Sequence, residues 1–516
     1  MAFDVNKLLG DDDSSYHETE EAPYTLQSSG EAKLSFTDSE HSRIFRTLLE
    51  SHPEKNPDYR HDDIGLATLF SDIYKDEVRY CPQSQTWYLW NMRWEEQPDI
   101  GAISDKLQTL LNLLSYYCDE VNDEEYRKYI KKCRSNNAMR SVLEIVKSHL
   151  RMHSKDMDNN PYILNTTSGA YDLRTGKKVI DITPFNITKQ TATYPADMFT
   201  KRCDRWYQFI DEIMSGDKEK AAFLQRALGY SLLGVNKCEC MFIAYGWKTR
   251  NGKGTLFETI QKVLSKDYMR VAPTEMICLD KKGNAKDYNS PQPGLAALVG
   301  TRIVSMSEVT DGKELDSASV KALTGRDSRQ VRNLYEKAYD FIPQFTMWLS
   351  TNYLPRIPDK TVFRSKRIWV IEFNESWADR DDRDDDLKDE LACAENLPTI
   401  LRWLMDGCAD YMKHGLNPPK SVIEATERCM KTNDRVLCFT EDCCEYAEGS
   451  KVSRSAIKNA YVHWCRNDER DYIPLKPPRL YAELRRFYDE YDDGNGERGF
   501  KDVKLVYEGN TKSRYI

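Results

Sequence analysis

The chain contains no Cys-x-x-Cys pair, and none of its cysteines and histidines fall at zinc-ligand spacing. That excludes the common structural zinc modules and leaves fourteen scattered cysteines to be read as reduced thiols of a cytosolic-type compartment. No apolar run approaches the ~20 residues that a membrane-spanning helix needs, and no basic-then-apolar leader opens the sequence. A soluble cytoplasmic protein without a membrane partner is therefore expected. No internal repeat is visible. Positive charge is in deficit, with 74 Lys and Arg against 83 Asp and Glu giving a formal net charge of -9. Such a balance argues against a surface coated for nucleic acid. It permits positive charge confined to a groove or a central channel.

What is present suffices for packed cores: 40% of the 516 residues are hydrophobic and 11% aromatic, a length suited to three or four domains. Residues 1–36 are acidic and polar, with Asp11-Asp12-Asp13 among serines and threonines. They read as a disordered tail, because little apolar surface is available to offset chain entropy. From about residue 60 the pattern becomes globular. Asp63 to Cys81 begins with helical spacing, and Thr86 to Trp94 (TWYLWNMRW) alternates like a hairpin. Its tryptophans suit a core more than a stacking platform. Long helical stretches follow, then strand-like runs from Pro161 to Val179 with turns at Ser168-Gly169 and Thr175-Gly176. Phe223 to Gly234 reads as an amphipathic helix stopped by glycine.

From Lys237 to about Phe373 apolar strands alternate with helical runs, as in an α/β nucleotide-binding domain. The charged run DDRDDDLKDE marks a break, and helices continue to about residue 430. The last hundred residues give two helices and then a Gly-rich hairpin signal, the order of a winged helix.

Within the α/β segment, YGWKTRNGKGTLFETI from Tyr245 follows the buried-type strand Cys240–Ala244 and opens a helix-period run from Leu256 to Val263. Backbone N–H groups at such a helix start favour phosphate, and Lys253 would add a point charge. The spacing departs from the standard loop: five residues lie between Gly246 and Gly252, and Gly254 stands where Ser or Thr is usual. An ordinary strand-to-helix turn is the competing reading. A hydrolysing site also needs a carboxylate at a neighbouring strand end, and Arg302–Val309 supplies Glu308. The strand Phe345–Asn352 ends in Asn352, which could orient an attacking water. Arg364, Lys366 and Arg367 precede a further strand, where Arg can stabilise transferring phosphate. Each has an alternative as a strand end, a turn former or a solvated face; their order after one loop joins them. Between these strands, Val320 to Phe341 is helical and then hairpin-like from Arg332, with Glu336-Lys337 near the tip. Lys321, Arg326, Arg329, Arg332 and Lys337 make it locally basic, which suits a phosphate backbone.

In this order the motifs resemble those of superfamily 3 helicases of the phage/plasmid primase and poxvirus-type group. The carrying stretches are NGKGT at Asn251–Thr255, GLAALVGTRIVSMSE at Gly294–Glu308, VKALTGRDS at Val320–Ser328, WLSTNYLPRI at Trp348–Ile357 and RIWVIEF at Arg367–Phe373. VRYCPQSQTWYLWNMRW and SGAYDLRTGK resemble the domain that precedes this core.

The resemblance implies an AAA+-like P-loop ATPase core at 236–375, with an α+β pre-helicase domain at 37–200 and a helical collar at 201–235. A helical linker at 376–425 and a winged helix at 426–516 complete the α/β architecture. It implies ATP and Mg²⁺ as cofactors, with Gly246, Asn251, Gly252, Lys253, Gly254 and Thr255 forming the loop. Thr255 and Glu308 would serve the metal, Glu308 as the Walker B acid. Asn352 would be the sensor and Arg364, in preference to Arg367, the finger reaching a neighbour's ATP. The hairpin carrying Arg332 and Lys337, with Lys321, would track DNA. The implied protein is a hexameric ring in the host cytoplasm, hydrolysing ATP between subunits and moving 3′ to 5′ on single-stranded or forked DNA beside a separate primase. A nucleotide-switched origin-binding initiator that does not unwind is the alternative, as is the helicase part of a primase–helicase.

Overall fold

The computed structural model describes residues 39–279, 293–307, 313–331, 339–357, 359, 361–378, 384–466, 474–494 and 496–506, with two short strands at 24–25 and 35–36. The chain divides into two compact units, Met1–Met157 and Asp158–Ile516.

The first unit is helical around a small sheet. Three antiparallel strands, Val78–Cys81, Thr86–Trp90 and Trp94–Glu96, form where the aromatic alternation predicts a hairpin. Trp87 and Trp94 are buried, so they serve the core. Helices Asp63–Tyr74, Gly101–Val121 and Asn136–His149 bring Leu66, Phe70, Leu107, Leu110, Leu114 and Val142 into one cluster. Side-chain caps set two of the starts. Asp62 accepts from Gly65 N at 2.8 Å and Ser135 from Ala138 N at 3.3 Å.

The second unit is built on a five-stranded parallel sheet: β1 (Met241–Tyr245), β2 (Met269–Val271), β3 (Ile303–Ser307), β4 (Thr346–Thr351) and β5 (Ile368–Glu372). The spatial order is β2-β3-β4-β1-β5. Both faces are covered, and β1, β3, β4 and β5 accordingly read as largely apolar runs. Alternate residues still part to opposite sides. Phe242, Ala244 and Trp348 pack with Trp206, Phe223 and Leu404 on one face. Met241, Ile243 and Leu349 pack with Leu315, Val320 and Cys429 on the other.

Helix α1 (Lys218–Tyr230) lies against Leu397–His414 at a glycine contact. A Cβ at Gly229 would stand 2.1 Å from Cys408 N, and one at Gly407 2.2 Å from Gln225 O. The expected glycine stop at Gly234 is not where α1 ends. The helix stops at Tyr230, and Leu232 and Leu233 turn into the core, while the Ser231 hydroxyl donates to Ala227 O at 2.7 Å and accepts from Trp348 Nε1 at 3.0 Å.

At the C-terminal end, helices Arg454–Arg466 and Pro477–Leu484 and the pair Glu490–Asp492/Arg498–Leu505 appear as predicted, around a separate apolar cluster. A third strand, Cys444–Ser453, was not expected. It pairs with Arg498–Leu505, but none of its residues is buried and most are polar, so it carries little apolar signal. The expected basic hairpin is an antiparallel pair, Arg329–Val331 with Tyr339–Phe341, beginning earlier than Arg332.

All fourteen cysteines are free thiols. Among the described residues no helix is long and apolar enough to cross a membrane, and no three His, Cys, Asp or Glu side chains gather to hold a metal.

Candidate nucleotide-binding site

The loop that follows β1 sits between the ends of its two neighbours. Gly246 N donates to Thr351 O of β4 at 3.2 Å, and Phe373 N, just past β5, donates to Tyr245 O at 2.7 Å. Two glycines are required by geometry. A Cβ on Gly246 would meet Asn251 Nδ2 at 2.3 Å and Phe373 O at 2.6 Å. Gly252 has φ +81°, in the left-handed region that favours glycine, and a Cβ there would strike Ile213 Cγ2 at 2.4 Å. Helix α2 (Lys253–Tyr268) starts directly after it.

Asn251 is buried and ties the loop to itself, donating to Lys248 O at 2.7 Å and Gly246 O at 3.2 Å. The unusual length has a visible use. The Thr249 carbonyl accepts from Ser376 Oγ at 2.9 Å and the Arg250 carbonyl from Trp377 N at 3.0 Å. The additional span thus pins the loop to the segment after β5.

Lys253 is 5% exposed. Its ammonium donates to Gly246 O at 3.2 Å and to Asn352 Oδ1 at 2.9 Å, with no carboxylate partner among the described residues. Burial without a counter-charge lowers its pKa to about 8. A buried ammonium held by two neutral oxygens at a helix start fits a phosphate group, which would supply the missing charge. Gly254 is exposed, and Thr255, one residue on, is half-buried.

Beside the loop opens a cavity of about 710 Å³. Gly252, Thr255, Phe209 and Trp377 are among its walls, with acids including Asp211, Glu212 and Glu375. The half-buried Trp377 and the carboxylates suit a base and a sugar, while Arg205, Arg250 and Lys388 add positive charge to the same walls. Phe209 and Trp377 had carried no signal in the sequence, because neither belongs to a motif.

The structure therefore brings together Gly246, Asn251, Gly252, Lys253 and Asn352, with Thr255 at the rim. Glu308, Arg332 and Lys337 lie outside the described residues. Arg364 and Arg367 stand elsewhere. In register, Ile368 lies beside Met241 and Glu372 beside Tyr245. Both arginines precede β5, whereas the loop follows β1, so a whole strand of roughly 16 Å separates them. Arg367 is also committed, pairing with Glu239 at 2.7 Å and donating to Thr324 Oγ1 at 2.9 Å. Arg364 is exposed and has no such partner among the described residues. Lys321 is held by Asp359 at 2.6 Å and Thr361 Oγ1 at 2.8 Å.

Comparison with known proteins agrees in kind. Residues 67–215 match the family described as D5 N terminal like, a span that crosses the boundary between the two units. The chain is 25% identical over 353 residues to the "Putative helicase L207/L206" of Acanthamoeba polyphaga mimivirus, covering 63% of this chain and 36% of that protein. It is 23% identical over 231 residues to the "Putative helicase 022R" of Frog virus 3, covering 41% and 23%. The chain thus spans about a third or less of the length of these relatives. Among solved structures, the apo C-terminal region of NrS-1 aligns with 86% of this chain and 99% of that one, at 10% identity and a TM-score of 0.45. The sequence likeness is to D5-like helicase proteins of viruses.

Proposed function

We propose that the chain is an ATP-dependent DNA helicase of the superfamily 3, AAA+-like type, serving replication of a virus or mobile element as a ring of identical copies. The observation that carries the reading is Lys253, buried at the start of α2 without a counter-charge and bonded to Asn352 at the end of the adjacent strand. The viral helicase names of its relatives and the β2-β3-β4-β1-β5 order support the same class.

In this reading the backbone of Gly252–Thr255 and the Lys253 ammonium hold the β- and γ-phosphates. The Thr255 hydroxyl and Glu308 hold Mg²⁺, and Phe209 and Trp377 flank the base. ATP supplies the anhydride to be broken, and Mg²⁺ neutralises charge on its phosphates. Asn352 orients the attacking water and releases Lys253 to the phosphates as they enter. Arg364 serves a neighbouring copy, since β5 keeps it from its own loop; the ion pair of Arg367 removes that residue from the role. Because Lys321 is neutralised by Asp359, contact with single-stranded DNA falls to Arg332 and Lys337. Travel is 3′ to 5′, and a separate primase completes the replication machinery.

The test is ATP-dependent separation of a forked duplex bearing a 3′ single-stranded tail, run beside Lys253→Ala. Unwinding by the wild type and not by the variant is expected. DNA binding by both proteins with separation by neither would replace the helicase with an origin-binding initiator.

A further inference from the structure

The second unit holds another cleft, of about 580 Å³, between the sheet core and the C-terminal helices. Arg364 reaches it from the short helix Thr361–Arg364, Arg479 from Pro477–Leu484, and Ser317 from the first turn of helix Ser317–Thr324. Four carboxylates share its walls, and each is engaged by the protein. Asp359 holds Lys321 at 2.6 Å, Glu314 holds Arg435 at 3.4 Å and Glu483 holds Arg486 at 2.7 Å. Asp316 accepts from Ala318 N at 3.0 Å and Ser319 Oγ at 2.5 Å.

The donors are in the opposite condition. Arg364 and Arg479 are exposed and have no side-chain hydrogen bond or ion pair among the described residues. The Ser317 hydroxyl is buried and lacks a hydrogen-bond partner among them. Two unpaired guanidinium forks and an orphan hydroxyl on one cleft, whose acids are already satisfied, form a donor set for phosphate oxygens. The volume is that of a small-molecule site. The ligand does not come from the chain's own loop, because β5 stands between that loop and Arg364.

We propose that this cleft receives the terminal phosphates of a nucleotide held in the loop of a second copy of the chain, with Arg479 joining Arg364 on the same anion. The inference rests on the hydrolysis reading above and adds a contact from outside the sheet core. The C-terminal helices thereby become part of the ATPase site.

In full-length protein, Arg479→Ala is expected to lower ATP turnover by about ten- to a hundredfold, part of the ~10³–10⁵ that a trans-acting arginine can supply. Binding of a fluorescent ATP analogue to the variant's own loop should be unchanged at concentrations too low for copies to associate. Should Arg479→Ala lower the unfolding temperature, Arg479→Lys, which keeps the charge and loses the fork, carries the same test. The decisive arm mixes Arg479→Ala with Lys253→Ala. One contributes a sound loop and the other a sound cleft, so the mixture should exceed the summed activity of its parents severalfold. Wild-type turnover by the Arg479 variants, or a mixture equal to that sum, overturns the inference alone. So does loss of DNA binding at wild-type turnover, which would assign the cleft to a DNA phosphate. If the wild type hydrolyses no ATP, with or without single-stranded DNA, the hydrolysis reading fails and the inference falls with it.

Discussion

Lys253 donates to Gly246 O and Asn352 Oδ1, and burial holds its pKa near 8, from an ordinary value of 10.5. A bound phosphate would raise that pKa again, so the liganded protein would keep its proton more tightly than the free one. By linkage, raising the pH through the free value then weakens binding. Affinity for a fluorescent ATP analogue should be flat below about pH 8 and fall up to tenfold per pH unit above it. Lys253→Ala should bind weakly without this step, and a step of equal size in the variant would remove Lys253 as its source. One residue on, a Cβ at Gly254 would meet nothing nearer than Glu258 Oε1 at 3.8 Å, and its φ is not in the left-handed region. Gly254→Ser is therefore expected to stabilise the helix start by a few tenths of a kcal/mol, read by thermal unfolding. If Thr255 serves the metal, Thr255→Ala should lose Mg²⁺-dependent turnover and recover part of it when combined with Gly254→Ser. Full turnover by Thr255→Ala would dismiss the hydroxyl.

Between elements, α1 approaches Leu397–His414 closely, where Gly229 and Gly407 allow backbone to meet backbone. Alanine is the better helix former, yet Gly229→Ala would have to push Cys408 N away from 2.1 Å. A net loss of about 1–3 kcal/mol is expected from urea unfolding; an unchanged midpoint would mean that the helices can shift apart freely. Elements of this kind show how far sequence reading reaches. Four core strands, β1, β3, β4 and β5, were legible because burial on both faces makes each a largely apolar run, and Thr86 to Trp94 was legible through its alternation. The short β2, with Arg270 at its middle and Val271 exposed, was not. Nor was Cys444–Ser453, since a strand at a sheet edge with no buried residue has no apolar pattern to read. Lys253, Asn352 and the glycines, which the structure brings together, were singled out through spacing and order. Phe209, Trp377 and the pairing of Arg367 with Glu239 arise from chain segments distant in sequence, and such meetings leave no local trace.

For the molecule as a whole, the helicase reading sets a formal charge of -9 against a locally basic stretch from Lys321 to Lys337, so that DNA contact would be concentrated rather than spread. Under the helicase reading, log affinity for single-stranded DNA should fall with log salt by about 0.7 per phosphate contacted. Lys337→Ala should reduce that slope by about one contact, spare basal ATPase and weaken unwinding; an unchanged slope and unchanged unwinding would take Lys337 out of the DNA path.

The parallel register of β1 and β5 has a further consequence on this scale. It places the loop after β1 and Arg364 at opposite ends of the strands, so under the proposed mechanism a solitary copy lacks half of what it needs. Specific activity would then depend on concentration, collapsing on dilution and climbing steeply as copies accumulate. Abundance itself would act as the control, keeping the motor silent early in expression and releasing it once enough chains exist to complete one another.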